Sequence, residues 1–289
     1  MVNRIMKIEH FKKNKDYLIC LDSDGTVFNS QEIKFRKVVI PCMIRTFRLE
    51  PASGLASETA EYVNLYSRWR GIGRYDALLK VFELLKENEE AKKSGFTFPD
   101  TLSLQIWLET EQKPCKAALT KYVEKTQEPF LLRVIEWEEA LEQGINKEMR
   151  GIPVFEHVSE CLKKASRYAD IIVISSETSD ILNREWEESG LNTYVNMIAG
   201  KEAGKKESII RSVKSGSYED DHAIMIGDAP GDFDAARKNN ILFYPINPGK
   251  ETDSWKRFLD ESLDRFFQGS YTGLYQSDLV SEFMKILGH

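Results

Sequence analysis

The segment Ala169–Ser175, read Ala-Asp-Ile-Ile-Val-Ile-Ser, constrains the fold more than any other stretch of the chain. Its β-branched run is too continuous for a strand with one wet face, and it reads as a strand buried on both sides in a parallel sheet. Before it, Val154, Phe155, Val158, Cys161, Leu162 and Ala165 fall on one helical face. After it, Thr178 or Ser179 is placed to cap a helix that carries Ile181, Leu182 and Trp186 and is closed by Gly190. The alternation continues with a strand at Tyr194–Ala199, a helix at Lys206–Lys214, a strand at His222–Ile226, a helix at Asp232–Asn239 and a strand at Ile241–Tyr244. Together with an apolar run at Tyr17–Leu21, this spacing predicts an α/β fold, a parallel sheet covered by helices on both faces. Right-handed crossovers then bring the strand C-termini to one edge, where open α/β sheets bind ligands.

Residues 31–149 break that alternation. They hold few β-branched runs and several helical patterns, among them Leu78, Leu79, Phe82 and Leu85, and Phe130, Leu131, Val134, Ile135 and Ala140 running into Gly144. The charge run Lys86–Gly95 reads as a solvated helix end and loop, and the residues after about 250 as two amphipathic helices. The expected organisation is a discontinuous α/β domain, 1–30 and 150–289, interrupted by a mostly helical domain at 31–149.

Composition excludes several classes. With 42% hydrophobic and 30% charged residues, the chain is an ordinary folded protein. A formal net charge of −6 argues against nucleic acid as a partner. Four cysteines without a C-x-x-C spacing fit a reduced compartment, and charges interrupt the apolar residues of the N-terminus where a signal peptide needs a continuous run. No apolar stretch is long enough for a membrane helix, so the expected location is cytoplasmic, with no membrane partner. The four histidines, His10, His157, His222 and His289, show no ligand spacing.

The chemistry concentrates at the strand ends. Asp22-Ser23-Asp24-Gly25-Thr26 follows a buried strand directly. At ordinary residue usage a chance D-x-D-G-T is rare in a chain this long, on the order of one in a few hundred. Two carboxylates two residues apart in a loop divide the labour of phosphoryl transfer, one as nucleophile and one for the leaving-group proton. Ser175 and Ser176 close the central strand, where a hydroxyl donates to a phosphate oxygen. Lys205 and Lys206 open a helix, a poor position for cations unless an anion lies between them and the helix dipole. Asp228 stands at the end of another strand, and Asp232, four residues on, at the opening of the helix that follows. Carboxylates gathered there with Asp22 need a hard cation, and Mg²⁺ takes such a set together with phosphate oxygens.

Taken together, these segments resemble the haloacid dehalogenase superfamily of phosphotransferases, over residues 22–27 and 150–246. DSDGT is similar to its first motif, Ser175 to its second, Lys205/Lys206 to its third and GDAPGD to its fourth. The resemblance implies a Rossmann-like core with residues 31–149 as a helical cap. It implies Asp22 as the nucleophile that forms an aspartyl-phosphate, and Asp24 as general acid and then base. It further implies Asp22, Asp24 (through its backbone carbonyl), Asp228 and Asp232 around Mg²⁺. Ser175 and one of Lys205 and Lys206 would hold the phosphoryl group, with Thr26 and Ser176 beside the substrate.

Asp24 favours phosphate esters, since relatives that cleave carbon–halogen bonds lack an acid there. The implied function is an Mg²⁺-dependent phosphatase of a small phosphorylated metabolite. An alternative is a sugar-phosphate mutase, because Arg70–Leu78 looks like the specificity loop of the β-phosphoglucomutase branch and aligns Arg74 with an arginine that holds a second phosphate. Lys34 stands where that branch usually has His, which favours the phosphatase. A third alternative is a phospho-accepting module without turnover, although such receivers lack a long insertion after the phosphorylated strand.

Overall fold

A computed structural model describes residues 11–93 and 96–288. In chain order, β1 (Tyr17–Leu21) precedes a helical run of α1 (Ser30–Lys34), α2 (Ile40–Phe47), α3 (Ser53–Leu65), α4 (Arg74–Glu87), α5 (Glu89–Lys93), α6 (Leu102–Thr110), α7 (Lys116–Thr126) and α8 (Pro129–Glu148). Alternation then begins with α9 (Val158–Ala165), β2 (Ala169–Ile174), α10 (Ser179–Glu188), β3 (Met197–Ala199), α11 (Lys206–Lys214), β4 (Ala223–Gly227), α12 (Pro230–Lys238) and β5 (Leu242–Pro245). The chain finishes with α13 (Glu251–Arg257), α14 (Leu263–Phe267) and α15 (Leu274–Ile286). It divides into two compact units, residues 1–31 with 151–289, and residues 32–150.

The first unit is a five-stranded parallel sheet in the order β3-β2-β1-β4-β5. Every side chain of β2 is buried, as its unbroken apolar sequence requires of a central strand. One face packs on Val158, Cys161 and Leu162 of α9, Leu182 and Trp186 of α10, and Trp255 and Phe266 from the C-terminal helices. The other packs on Ile209, Ile210 and Val213 of α11, Ala235 and Ala236 of α12, and Phe283 of α15. This is the Rossmann-like α/β architecture expected from sequence. Because strand order reverses beside β1, the ends of β1 and β4 form the crevice where such sheets take ligands.

Among its described residues the second unit holds helices and no strand. Its core gathers Met43, Phe47, Val63, Leu78, Phe82, Trp107, Leu131 and Trp137. Gly144 does not end a helix there; it lies inside α8, where a Cβ would stand 2.5 Å from a methyl of Val38. Its role is close packing. In the charge run at Lys86–Gly95, Glu89–Lys93 forms the short helix α5 with Ala91 buried, while Ser94 and Gly95 lie outside the described residues.

Three other expectations are corrected. The strand expected from Tyr194 starts only at Met197, because Leu191–Tyr194 forms a 3-10 turn and the Asn196 side chain takes the Ile171 N–H at 2.8 Å. The helix expected to include Val154 and Phe155 begins at Val158. Val154 instead bridges Phe28, and the Phe155 N–H donates to the Val27 carbonyl at 3.0 Å, so this segment braces the loop after β1. Thr178 occupies the N-cap position of α10 without a side-chain cap bond; the Glu202 carboxylate accepts from the Ser179 N–H and hydroxyl in its place. Among the described residues no helix is long and apolar enough to cross a membrane.

Candidate active site

Register assembles the site. Leu21 of β1 lies level with Val173 of β2 and Ile226 of β4. The residues just beyond, Asp22, Ser175 and Asp228, therefore emerge together at the C-terminal edge. The Asp22 N–H extends the ladder to the Ile226 carbonyl at 3.0 Å, and the chain then turns. The Ser23 carbonyl accepts from Val27 and Phe28 at 2.9 and 3.2 Å, and Gly25 takes φ +74°, a conformation that favours glycine. Asp24, half-buried in this turn, accepts the Ser30 hydroxyl at 2.5 Å.

Asp22, Asp228 and Asp232 are 6%, 1% and 1% exposed, and each offers an oxygen within 4.8 Å of the others. The Lys206 ammonium sits 2.7 Å from Asp22 and 2.6 Å from Asp232. Asp228 accepts the Thr26 hydroxyl at 2.6 Å, and Asp232 also accepts the Ala229 N–H at 3.1 Å, so it caps α12 while facing the cluster. Gly227 makes room for it: a Cβ there would lie 2.4 Å from the Asp232 carboxyl carbon.

Electrostatics follow from the count. Burial pushes the Asp22 carboxyl well above the usual carboxylate range; Lys206 opposes the rise, and Asp232 and Asp228 add to it. Asp232 is raised by burial for the same reason. Burial works against the Lys206 ammonium, but its two carboxylates outweigh that and hold its pKa above the ordinary value. The Lys206 ammonium pairs with two of the three buried carboxylates, and a divalent cation would ease the repulsion among all three. The donors are all oxygens, which suits a hard cation, so the residues fit a metal of the Mg²⁺ type.

The remaining sequence-predicted residues divide. Ser175 is buried, and its hydroxyl accepts the Glu177 N–H at 3.1 Å while keeping a proton to donate. Ser176 is exposed. Lys205 is exposed and extended at the N-cap position of α11, so its side chain leaves the cluster that Lys206, the next residue, enters. Thr26, expected beside the substrate, is fully buried, and its hydroxyl donates to Asp228. Arg74, in the helical unit, is half-exposed and pairs at 2.8 Å with the buried Glu138. Of the histidines, His222 packs against Tyr17 and His157 occupies the N-cap position before α9 with φ +69°, whereas His10 and His289 lie outside the described residues.

Sequence reasoning missed Ser30 and Gly227. A serine six residues after Asp24 carries no signal of its own. Gly227 does carry one, since a glycine between an apolar strand and an aspartate marks close approach.

A family model of haloacid dehalogenase-like hydrolases matches residues 99–246. No curated protein matches the chain. Among solved structures, a haloacid dehalogenase-like hydrolase named by inference, from Bacteroides fragilis, is 11% identical, with 83% of this chain and 93% of that chain covered and a TM-score of 0.48. A protein from Lactobacillus delbrueckii subsp. bulgaricus, named by inference as a phosphoglycolate phosphatase, is 16% identical over 81% of this chain and 87% of that one, with a TM-score of 0.47. The hydrolase YfnB from Bacillus subtilis, also named by inference and bound to magnesium, is 13% identical over 80% and 86%, with a TM-score of 0.43.

Proposed function

This chain belongs to the haloacid dehalogenase-like hydrolases, and we propose that it is an Mg²⁺-dependent phosphatase that cleaves a small phosphorylated metabolite through an aspartyl-phosphate on Asp22. The observation that carries this reading is the position of Asp22, at a strand end, ion-paired to Lys206 and within a few ångströms of two more buried carboxylates.

An Asp22 oxygen attacks phosphorus as the ester P–O bond breaks, and Asp24 gives its proton to the departing alkoxide. Asp24 then takes a proton from water as that water attacks phosphorus, which frees Asp22 and releases inorganic phosphate. The Ser175 hydroxyl and the Lys206 ammonium bind oxygens of the phosphoryl group and offset charge that grows on them. Asp22, Asp228 and Asp232 would hold Mg²⁺, which supplies neutralisation of the phosphoryl oxygens when bound. The mutase alternative rests on Arg74, and the engagement of that guanidinium with Glu138 favours the phosphatase.

The test is phosphate release from a broad panel of phosphorylated metabolites, with and without Mg²⁺ and with Asp22→Asn alongside. Release that requires both Mg²⁺ and Asp22 supports the reading. Turnover at the wild-type rate by Asp22→Asn would overturn it.

A further inference from the structure

Two indole N–H groups converge on the loop that carries Asp22. Trp186, fully buried on α10, donates from Nε1 to the Ser23 hydroxyl at 3.0 Å. Trp255, fully buried on α13, donates from Nε1 to the Thr26 carbonyl at 2.7 Å. An indole nitrogen only donates, so each bond has one sense and fixes where its acceptor must sit. Ser23 lies between the two aspartates, and Thr26 carries the hydroxyl that meets Asp228. Trp186 also meets the Phe28 ring edge-on, with centroids 5.8 Å apart.

The sequence separations are 163 and 229 residues, so neither anchor is a local turn contact. Bonds among Ser23, Val27 and Phe28 set the shape of the turn, and the two indoles tie that shape to helices packed on one face of the sheet. Ser23 and Thr26 are both inaccessible to water, so water cannot replace a lost indole donor without rearrangement.

We infer that Trp186 and Trp255 are positioning residues for the reaction at Asp22. They fix the turn from its two halves and so set the direction in which Asp22 and Asp24 present their carboxylates. In-line attack on phosphorus is sensitive to displacements well below the size of an atom, which is why a bond to the loop bears on rate. The inference rests on the assignment of Asp22 as nucleophile.

Phenylalanine variants keep a ring and remove the donor. The experiment uses full-length Trp186→Phe and Trp255→Phe, with p-nitrophenyl phosphate and Mg²⁺ as the turnover probe and amide hydrogen exchange over residues 18–30 as a second readout. Each variant is expected to lose about tenfold in kcat, the rate equivalent of one buried hydrogen bond, with KM held within about twofold. Exchange in the loop accelerates while that of β2 stays at the wild-type rate. Ser23→Ala removes the acceptor without touching a large side chain, and the pair Ser23→Ala with Trp186→Phe should lose no more than the larger single loss. Wild-type kcat and loop exchange in both phenylalanine variants, or additive losses in the pair, overturn the inference, as does a kcat loss that matches a loss of folded protein. Asp22→Asn runs in parallel. Turnover that survives it removes the nucleophile assignment, whereas Asp22-dependent turnover indifferent to the indoles removes this inference alone.

Discussion

The Thr26 hydroxyl donates to the Asp228 carboxylate at 2.6 Å, joining the loop after β1 to the end of β4 across 202 residues of sequence. Both residues are buried, and Asp228 faces two further carboxylates. Thr26→Val keeps the shape and removes the donor. A hydrogen bond to a charged group contributes roughly 1.5–3 kcal/mol, so the variant should lose stability of that order. Metal should also bind more weakly, because Asp228 loses the contact that aims it. Denaturant unfolding and Mg²⁺ titration check the two effects, and Thr26→Ser should restore most of both.

The Lys206 ammonium touches two of the three buried carboxylates of the cluster, Asp22 and Asp232. Lys206→Met should destabilise the metal-free protein by about 3–5 kcal/mol, the usual loss when one partner of a buried pair is removed. Mg²⁺ should recover part of that loss, since a cation replaces the missing charge and binds only the folded site. The expected result in thermal unfolding is a larger Mg²⁺-induced rise in Tm for the variant than for the wild type. An equal rise would place the cation away from these carboxylates.

Much of this arrangement was legible in the sequence. The apolar run of β2 and the Asp-x-Asp after β1 point to the sheet class and to the edge on which the acidic cluster gathers, because an unbroken apolar run and a strand-end position are local features. Lys205 and Lys206 could not be separated from sequence, since the choice depends on where the extended N-cap ends and α11 begins. The bond of Thr26 to Asp228 is not legible either, because a hydroxyl in such a loop serves a substrate and a neighbouring carboxylate equally well on paper. The indole anchors had no sequence signal at all, because Trp186 and Trp255 read as core residues and they are core residues, with one polar atom each turned to the loop.

Glu202 gives a pH dependence with a definite sign. Its own backbone N–H, followed by the Ser179 hydroxyl and N–H, holds its carboxyl below the ordinary value. A lowered folded-state pKa means stability that is fully present above the unfolded value, near 4.3, and lost as pH falls through the lower folded value. Glu202→Gln should therefore be less stable than wild type at pH 7, by about 0.5 kcal/mol for so exposed a cap. The difference should shrink as the pH drops below 4. Chemical denaturation of both proteins across that range checks it, and a gap that grows toward acid would contradict the capping role.

Gly227→Ala is the sharpest test of how the acidic cluster is packed. The added methyl would stand 2.4 Å from the Asp232 carboxyl carbon, a distance no pair of carbons tolerates, so Asp232 or the strand end must move. Movement of Asp232 breaks its bond to Lys206 and its cap on Ala229 together. Overpacking of this kind typically destabilises by about 1–3 kcal/mol. The larger effect is expected on function, because the displaced carboxylate no longer meets Asp22 and Asp228. Phosphate release should fall by at least about a hundredfold if both charge pairing and metal binding are lost, roughly 2.7 kcal/mol in the barrier. Mg²⁺ affinity should fall in parallel. A variant that folds, binds Mg²⁺ as the wild type does and turns over normally would show that Asp232 is dispensable to the site, leaving Asp22 and Asp228 as its acidic pair.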